Sequence, residues 1–379
     1  MSQLKRQLLR NRLQTAFVQC GLLSLGLALF CGCVNQILSA KGSKDITKNE
    51  EYDQAVNIHE IKVLPNATPS PLLPSGDYVR FPGDNPDPQP WWPKRYRKLK
   101  RKRKAPPVTA LSDTLPSPSP SPSPVLAVKR EPPSEDSEGF TGRRPTVDPF
   151  HVGEKVTLDV SYFGVSAGDI TIEVLPYVEV NGRRSYKFVG HAISTSVFAV
   201  FYAVDDWFET FVDYESLIPS SYELHVKETK QLRETRAVFD WGNSTATWWD
   251  KKINSEKKVE EQKKEWEIPA YSQNVFSIFY YLRTFTLVPG KKLAFRLAHE
   301  NENLTVTAEV LRRETITTEA GEFETVVVKP KIELNGVFKP VGDIFLWLTD
   351  DDRKLIVRME SKIKIGTIVG VAKKVEMGR

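Results

Sequence analysis

The chain is 379 residues long, with 53 Lys and Arg against 48 Asp and Glu, a formal net charge of +5, and 40% hydrophobic residues. Its three cysteines, Cys20, Cys31 and Cys33, crowd into one N-terminal segment, which excludes a disulfide-stapled scaffold and leaves stability to a packed core. No Gly-rich phosphate loop, Gly-x-Ser-x-Gly elbow or paired-histidine spacing occurs, so nothing in the sequence spells out an active site or a metal or cofactor centre.

The N-terminus reads as a bacterial lipoprotein signal. Lys5, Arg6, Arg10 and Arg12 form a positive stretch and residues 16–30 a short apolar one. Phe30-Cys31-Gly32-Cys33 then sets a small residue directly before a cysteine. Cleavage there removes residues 1–32 and leaves Cys33 to carry palmitate-type acyl chains, each buried CH₂ adding about 0.8 kcal/mol of membrane affinity. The rival is an uncleaved helix over 16–34, long enough at roughly 20 apolar residues but weakened by Gln19 and its glycines. Both readings put the rest of the chain outside the cytoplasm. Val34, not an aspartate, follows the cysteine, so the expectation is a lipid anchor in the outer membrane, facing the periplasm.

Of 26 prolines, 19 lie between Pro65 and Pro145, among dense Ser, Asp, Lys and Arg. Such a composition buries too little apolar surface to offset chain entropy, so residues 33–147 are expected to form a mostly disordered tether. The Pro-Ser repeat of 116–124 favours an extended polyproline spacer. Within the tether, nine of the eleven residues from Lys94 to Lys104 are basic: Lys94, Arg95, Arg97, Lys98, Lys100, Arg101, Lys102, Arg103 and Lys104. Without them the net charge falls from +5 to −4, so this run alone makes the protein basic. Trp91, Trp92 and Tyr96 adjoin or interrupt it. Behind a lipoprotein signal the expected partner is an anionic envelope polymer or lipid headgroups, not nucleic acid. A solvated charge run that merely extends the tether is the alternative.

From Phe150 onward the pattern changes. Val156, Leu158 and Val160 alternate with Thr157, Asp159 and Ser161, and Ile170, Ile172 and Val174 with Thr171 and Glu173, the period of two of half-buried strands. Further strands are predicted near 186–193, 207–212, 222–227, 237–241, 246–250, 293–299, 304–310, 323–329, 344–349 and 355–362. Asn181-Gly182 and Asn335-Gly336 are hairpin turn signals, joined by the polar breaks at 301–303 and 319–321. Residues 195–204 and 274–285 read as short helices, the second apolar on nearly every face. The mixed-charge run 251–264 reads as a protruding hairpin or solvated loop. Asp350-Asp351-Asp352 is read as a hairpin turn in preference to a Ca²⁺ site. The fold class that follows is mainly β: one large curved antiparallel sheet, a half-barrel or open barrel over 148–379, with one or two short helices against it.

Phe150-His151-Val152-Gly153-Glu154-Lys155-Val156-Thr157 followed by Tyr162-Phe163-Gly164-Val165-Ser166-Ala167-Gly168 resembles the opening of the family of unknown function DUF3108. In order come Asp205-Asp206, Leu217-Ile218-Pro219, the helix segment 274–284 with its Leu282-Arg283, Gly321-Glu322-Phe323-Glu324-Thr325, and Trp347-Leu348-Thr349-Asp350-Asp351-Asp352-Arg353. The resemblance spans about 148–372. It implies an exported, β-rich envelope protein and names no catalytic residue.

Aromatic density supplies the remaining expectation. Phe201, Trp207, Phe276, Phe279 and Tyr280 are predicted to line a cavity for a lipid-like or other apolar ligand, with an ordinary aromatic core as the alternative. The function expected is therefore non-catalytic binding by a lipid-anchored envelope protein. The alternative is an envelope scaffold that grips an anionic polymer or membrane through its basic run and meets a protein partner the sequence does not identify.

Overall fold

The structure, a computed structural model, describes residues 47–61, 145, 147–256, 258–334, 337–338, 343–362 and 366–378. Sixteen strands form one antiparallel sheet. In chain order they are β1 (Ile58–Glu60), β2 (Glu154–Tyr162), β3 (Val165–Val180), β4 (Arg183–Ser194), β5 (Asp205–Asp213), β6 (Pro219–Lys227), β7 (Gln231–Asp240) and β8 (Thr245–Asn254). Then follow β9 (Val259–Glu267), β10 (Lys292–His299), β11 (Glu302–Thr318), β12 (Gly321–Leu334), β13 (Val337–Phe338), β14 (Ile344–Thr349), β15 (Ile356–Lys362) and β16 (Thr367–Met377). Among the described residues three short helices accompany them: α1 (Glu50–Ala55), α2 (Ser196–Ala199) and α3 (Ser277–Leu282). The spatial order is β10-β11-β12-β14-β15-β16-β2-β3-β4-β5-β6-β7-β8-β9, with β1 added to β3 and β13 to β12. The mainly-β, open-barrel expectation holds.

Neighbouring strands are joined mostly by tight turns, so register follows from the turn residues. Asn181 and Gly182 both take positive φ, 51° and 77°, as a primed hairpin turn requires, and the β3–β4 ladder runs on from Val180 and Arg183. The C-terminal β16 returns to lie beside β2, so the two ends of the domain meet in mid-sheet. Edge strands β9 and β10 do not pair with each other. Residues 268–276 pass between them, Gln273 exchanging backbone hydrogen bonds with Arg296 and Ala298. Asn303 accepts from the Trp266 indole at 3.2 Å, and Arg233 reaches Glu300 at 2.9 Å. The sheet thus curls on itself around one large apolar core, including Phe188, Tyr222, Phe239, Trp248, Phe285 and Phe295.

One stretch of the expected tether is structured. α1 and β1 dock on the convex face of the sheet: β1 pairs with Val178–Val180 of β3, and Tyr52 is buried with Val56, Val178, Val180 and Phe211. Asn181 fixes the junction, accepting from the Asn57 N–H at 2.8 Å and donating to the Ala55 carbonyl at 3.0 Å. Composition misread 47–61 because its apolar residues are few; two of them, Tyr52 and Val56, carry the contact.

Candidate functional site

A six-residue helix is too short to stand alone in water, so α3 is placed by its two ends. At the start, Asn274 is fully buried; its Oδ1 accepts from the Phe276 and Ser277 N–H groups, and its Nδ2 donates to Thr210 Oγ1 of β5 at 2.9 Å. At the end, Arg283 forks onto Glu154 of β2, Nη1 to Oε1 at 2.7 Å and Nη2 to Oε2 at 2.8 Å. The same guanidinium donates to the carbonyls of Pro149 and Arg353. Between these anchors Tyr280 stacks on Phe188 at 3.6 Å and Phe276 on Phe208 at 4.0 Å.

Beside this plug the concave face leaves a cavity of about 170 Å³. One wall comes from β2 to β6, through Val160, Ile170, Ile172, Ala192, Phe208 and Leu224. The other comes from β14 to β16, through Leu346, Ile356, Met359 and Ile368, and the floor is Phe276, Phe279 and Tyr280. Gly190 is needed for this shape. A Cβ there would stand 2.2 Å from the Phe208 ring, so only glycine lets that ring lie flat against β4 and stack on Phe276. The lining residues Ala192, Asp206, Ser361 and Ile368 each lie within two residues of a strand end, and they form the cavity's margin at the end of the barrel holding the β2–β3, β4–β5, β6–β7 and β15–β16 connections.

Polar groups break the apolar lining, Ser361 and Asp206 among them. Ser361 Oγ is buried without a hydrogen-bond partner. Asp206 accepts from the Lys227 N–H at 2.9 Å through Oδ1, and its Oδ2 faces the carboxyl of Glu228. Glu228 is itself buried and accepts from Tyr202 Oη at 2.7 Å and Gln231 Nε2 at 2.6 Å. Burial, and then the charge of Glu228, push the Asp206 pKa up to about 8, which favours its protonated form at neutral pH.

Of the five aromatic residues singled out in the sequence, the structure brings Phe276, Phe279 and Tyr280 together at the cavity. Phe201 is elsewhere, 74% exposed on the β4–β5 connection. Trp207 belongs to β5 at the cavity's edge, but strand alternation turns its indole to the convex face, where it stacks on His225 at 3.7 Å. His225 in turn sits 2.5 Å from Glu234. Asp206 escaped the sequence reading. The available signal was a carboxylate at an inward position of the alternating run Asp206, Phe208, Thr210, Val212. Cys33 and the basic residues of 94–104 lie outside the described residues. Asp351 caps the β14–β15 turn, its Oδ1 accepting from the Arg353 and Lys354 N–H groups.

The model of the family described as "Protein of unknown function (DUF3108)" matches residues 157–373. The chain belongs to this family. Three solved structures are similar to this DUF3108 chain. The first is a β-barrel-like protein of the domain of unknown function DUF1849 from Brucella abortus: 13% identity, TM-score 0.41, covering 60% of this chain and 99% of that one. The second is a candidate exported protein with a YmcC-like fold from Bacteroides fragilis: 10% identity, TM-score 0.27, 62% of this chain and 99% of that one. The third is a candidate lipoprotein from Parabacteroides distasonis: 10% identity, TM-score 0.24, 63% and 100%. No curated protein matches the sequence.

Proposed function

We propose that this DUF3108 protein is a non-catalytic binding protein of the bacterial envelope that holds an acyl-chain-like ligand in the cavity between its concave sheet face and α3. The observation that carries the reading is the cavity itself. The concave face keeps an open, mostly apolar space beside α3, where a purely structural core would be filled. At about 170 Å³ it is smaller than the ~300–1,000 Å³ of most sites for drug-sized ligands, so it takes part of an acyl chain and leaves the polar head at the margin. Lipidation of Cys33 and outer-membrane anchorage belong to the same proposal, supported by the N-terminal pattern. Contact of 94–104 with an anionic envelope polymer or headgroups is its secondary part, supported by the charge density of that run.

Native mass spectrometry of the full chain purified from its membranes tests the binding role. The expected result is a co-purifying lipid-sized mass released on activation, absent from Ala192→Trp, whose indole fills the space while the fold is kept. A bare mass for the natural chain, or equal lipid on both proteins, would overturn the reading.

A further inference from the structure

The described residues carry eleven large apolar side chains that stand exposed, and their placement is uneven. Six of them, Phe163, Val165, Ile193, Val197, Val200 and Phe201, lie on or beside the β2–β3 turn and the β4–β5 connection, at the end where the cavity has its margin. These connections are tied into one rim. The Thr195 N–H donates to the Ala167 carbonyl and the Thr229 N–H to the Ala203 carbonyl, and Phe163 leans over Gly366, whose missing Cβ would sit 2.9 Å from the ring.

Phe163 is the most informative residue here. It takes φ 51°, a left-handed conformation that favours glycine or asparagine, and it is 67% exposed. Neither turn chemistry nor core packing accounts for a phenylalanine at that position. Val197 and Phe201 are still more open, at 73% and 74%. Basic side chains dominate the exposed charge around this rim: Lys230 and Lys362 stand exposed at the adjoining β6–β7 and β15–β16 connections, and Lys227 beside them is paired with Asp205 at 3.2 Å. The carboxylates among the described residues of these four connections are buried, as in Glu228, or half-buried and engaged, as in Asp205, which meets His191 at 2.8 Å.

We propose that this rim seats on the surface of an anionic lipid bilayer, with the turn-tip side chains entering the interface and the lysines meeting the headgroups. The inference rests on the cavity reading for its purpose, since a bound chain too long for the cavity then extends straight into the bilayer. Protruding apolar side chains on separate turns, collared by lysine, match a soft anionic interface better than a flat protein surface.

Hydrogen–deuterium exchange of the full chain with phosphatidylcholine–phosphatidylglycerol vesicles tests it. The amides of 163–166 and 195–201 are expected to slow severalfold on vesicles, less so at high salt, and not at all in the variant Phe163→Ser/Val197→Ser/Phe201→Ser. All three side chains are exposed, so that variant keeps its fold and its co-purified lipid, which separates failure of the rim from failure of the cavity. Unchanged exchange at these turns on vesicles, slowing that the triple variant retains, or slowing by envelope proteins but not by vesicles would overturn the proposal.

Discussion

Arg283 and Glu154 are each only 4% exposed and form a bidentate pair, with Arg353 3.6 Å from the same carboxylate as a more distant second cation. Removing one member of such a pair leaves an uncompensated buried charge and typically costs about 3–5 kcal/mol, while replacing both with apolar groups is often close to neutral. Arg283→Met should therefore lower the urea midpoint sharply, and Arg283→Met/Glu154→Leu should recover most of the loss. Asp206 carries a pH signature. Its native pKa is raised to about 8, against about 4 in an unfolded chain, so the native state holds a proton that the unfolded state releases. Stability is then lost as pH rises between those two values. Asp206→Asn, which keeps a donor toward Glu228, should melt near the natural protein at about pH 4 and above it at about pH 9. His225 behaves differently. Burial lowers its pKa, but the hydrogen bonds and charges of Glu223 and Glu234 outweigh burial and raise it overall. Its contribution is fully present below the ordinary imidazole value of about 6.5 and disappears as pH rises through the raised one. His225→Gln should therefore cost more stability near pH 6 than near pH 9, read from melting curves at both.

At the scale of elements, α3 and the strap of α1 and β1 show what a sequence reveals and what it hides. The apolar run 274–285 announced a buried helix, and its contact with Phe188 and Phe208 follows from having no polar face to expose. Strands with regular alternation, such as β2, β4 and β6, were legible for the same reason. β16 was not, because two of its inward positions are the small residues Gly370 and Ala372, which blank the alternation. Of the two readings of 251–264, the hairpin is the one observed: β8 pairs with β9, which as an edge strand carries Glu260, Glu261, Lys263 and Glu265 without needing a buried face. Aromatic density pointed to Phe276, Phe279 and Tyr280 but equally to Phe201 and Trp207, which lie off the cavity floor, and the β14–β16 wall depends on pairings about 200 residues apart. Two substitutions test these elements. Gly190→Ala pushes the Phe208 ring off its stack on Phe276 and should cost about 1–3 kcal/mol, together with ligand occupancy. Tyr52→Ala removes the ring that packs against Trp249 and Arg236. It should open 47–61 to hydrogen exchange while the sheet from Glu154 to Met377 keeps its protection.

For the whole molecule, the docked strap changes how the parts are connected. In sequence the basic run of 94–104 falls between β1 and Phe150, which both belong to the same folded body. With Cys33 lipidated, the distance from the membrane to the domain is set by residues 34–46, at most about 45 Å when fully extended at ~3.3–3.6 Å per residue. That reach is short enough for the cavity rim to meet the same bilayer. On the proposed seating, lysine collar, apolar turn tips, cavity margin and helix floor lie in series from the membrane inward. The central claim is that the concave cavity holds the ligand. Photocrosslinking of the full chain with a lipid bearing a diazirine in its acyl chain, followed by mass-spectrometric mapping, tests it most directly. Adducts are expected on Ile172, Phe279, Leu346 and Met359, and they should vanish in Ala192→Trp. Adducts confined to the convex face around Trp249 and α1, or adducts that survive Ala192→Trp unchanged, would contradict it.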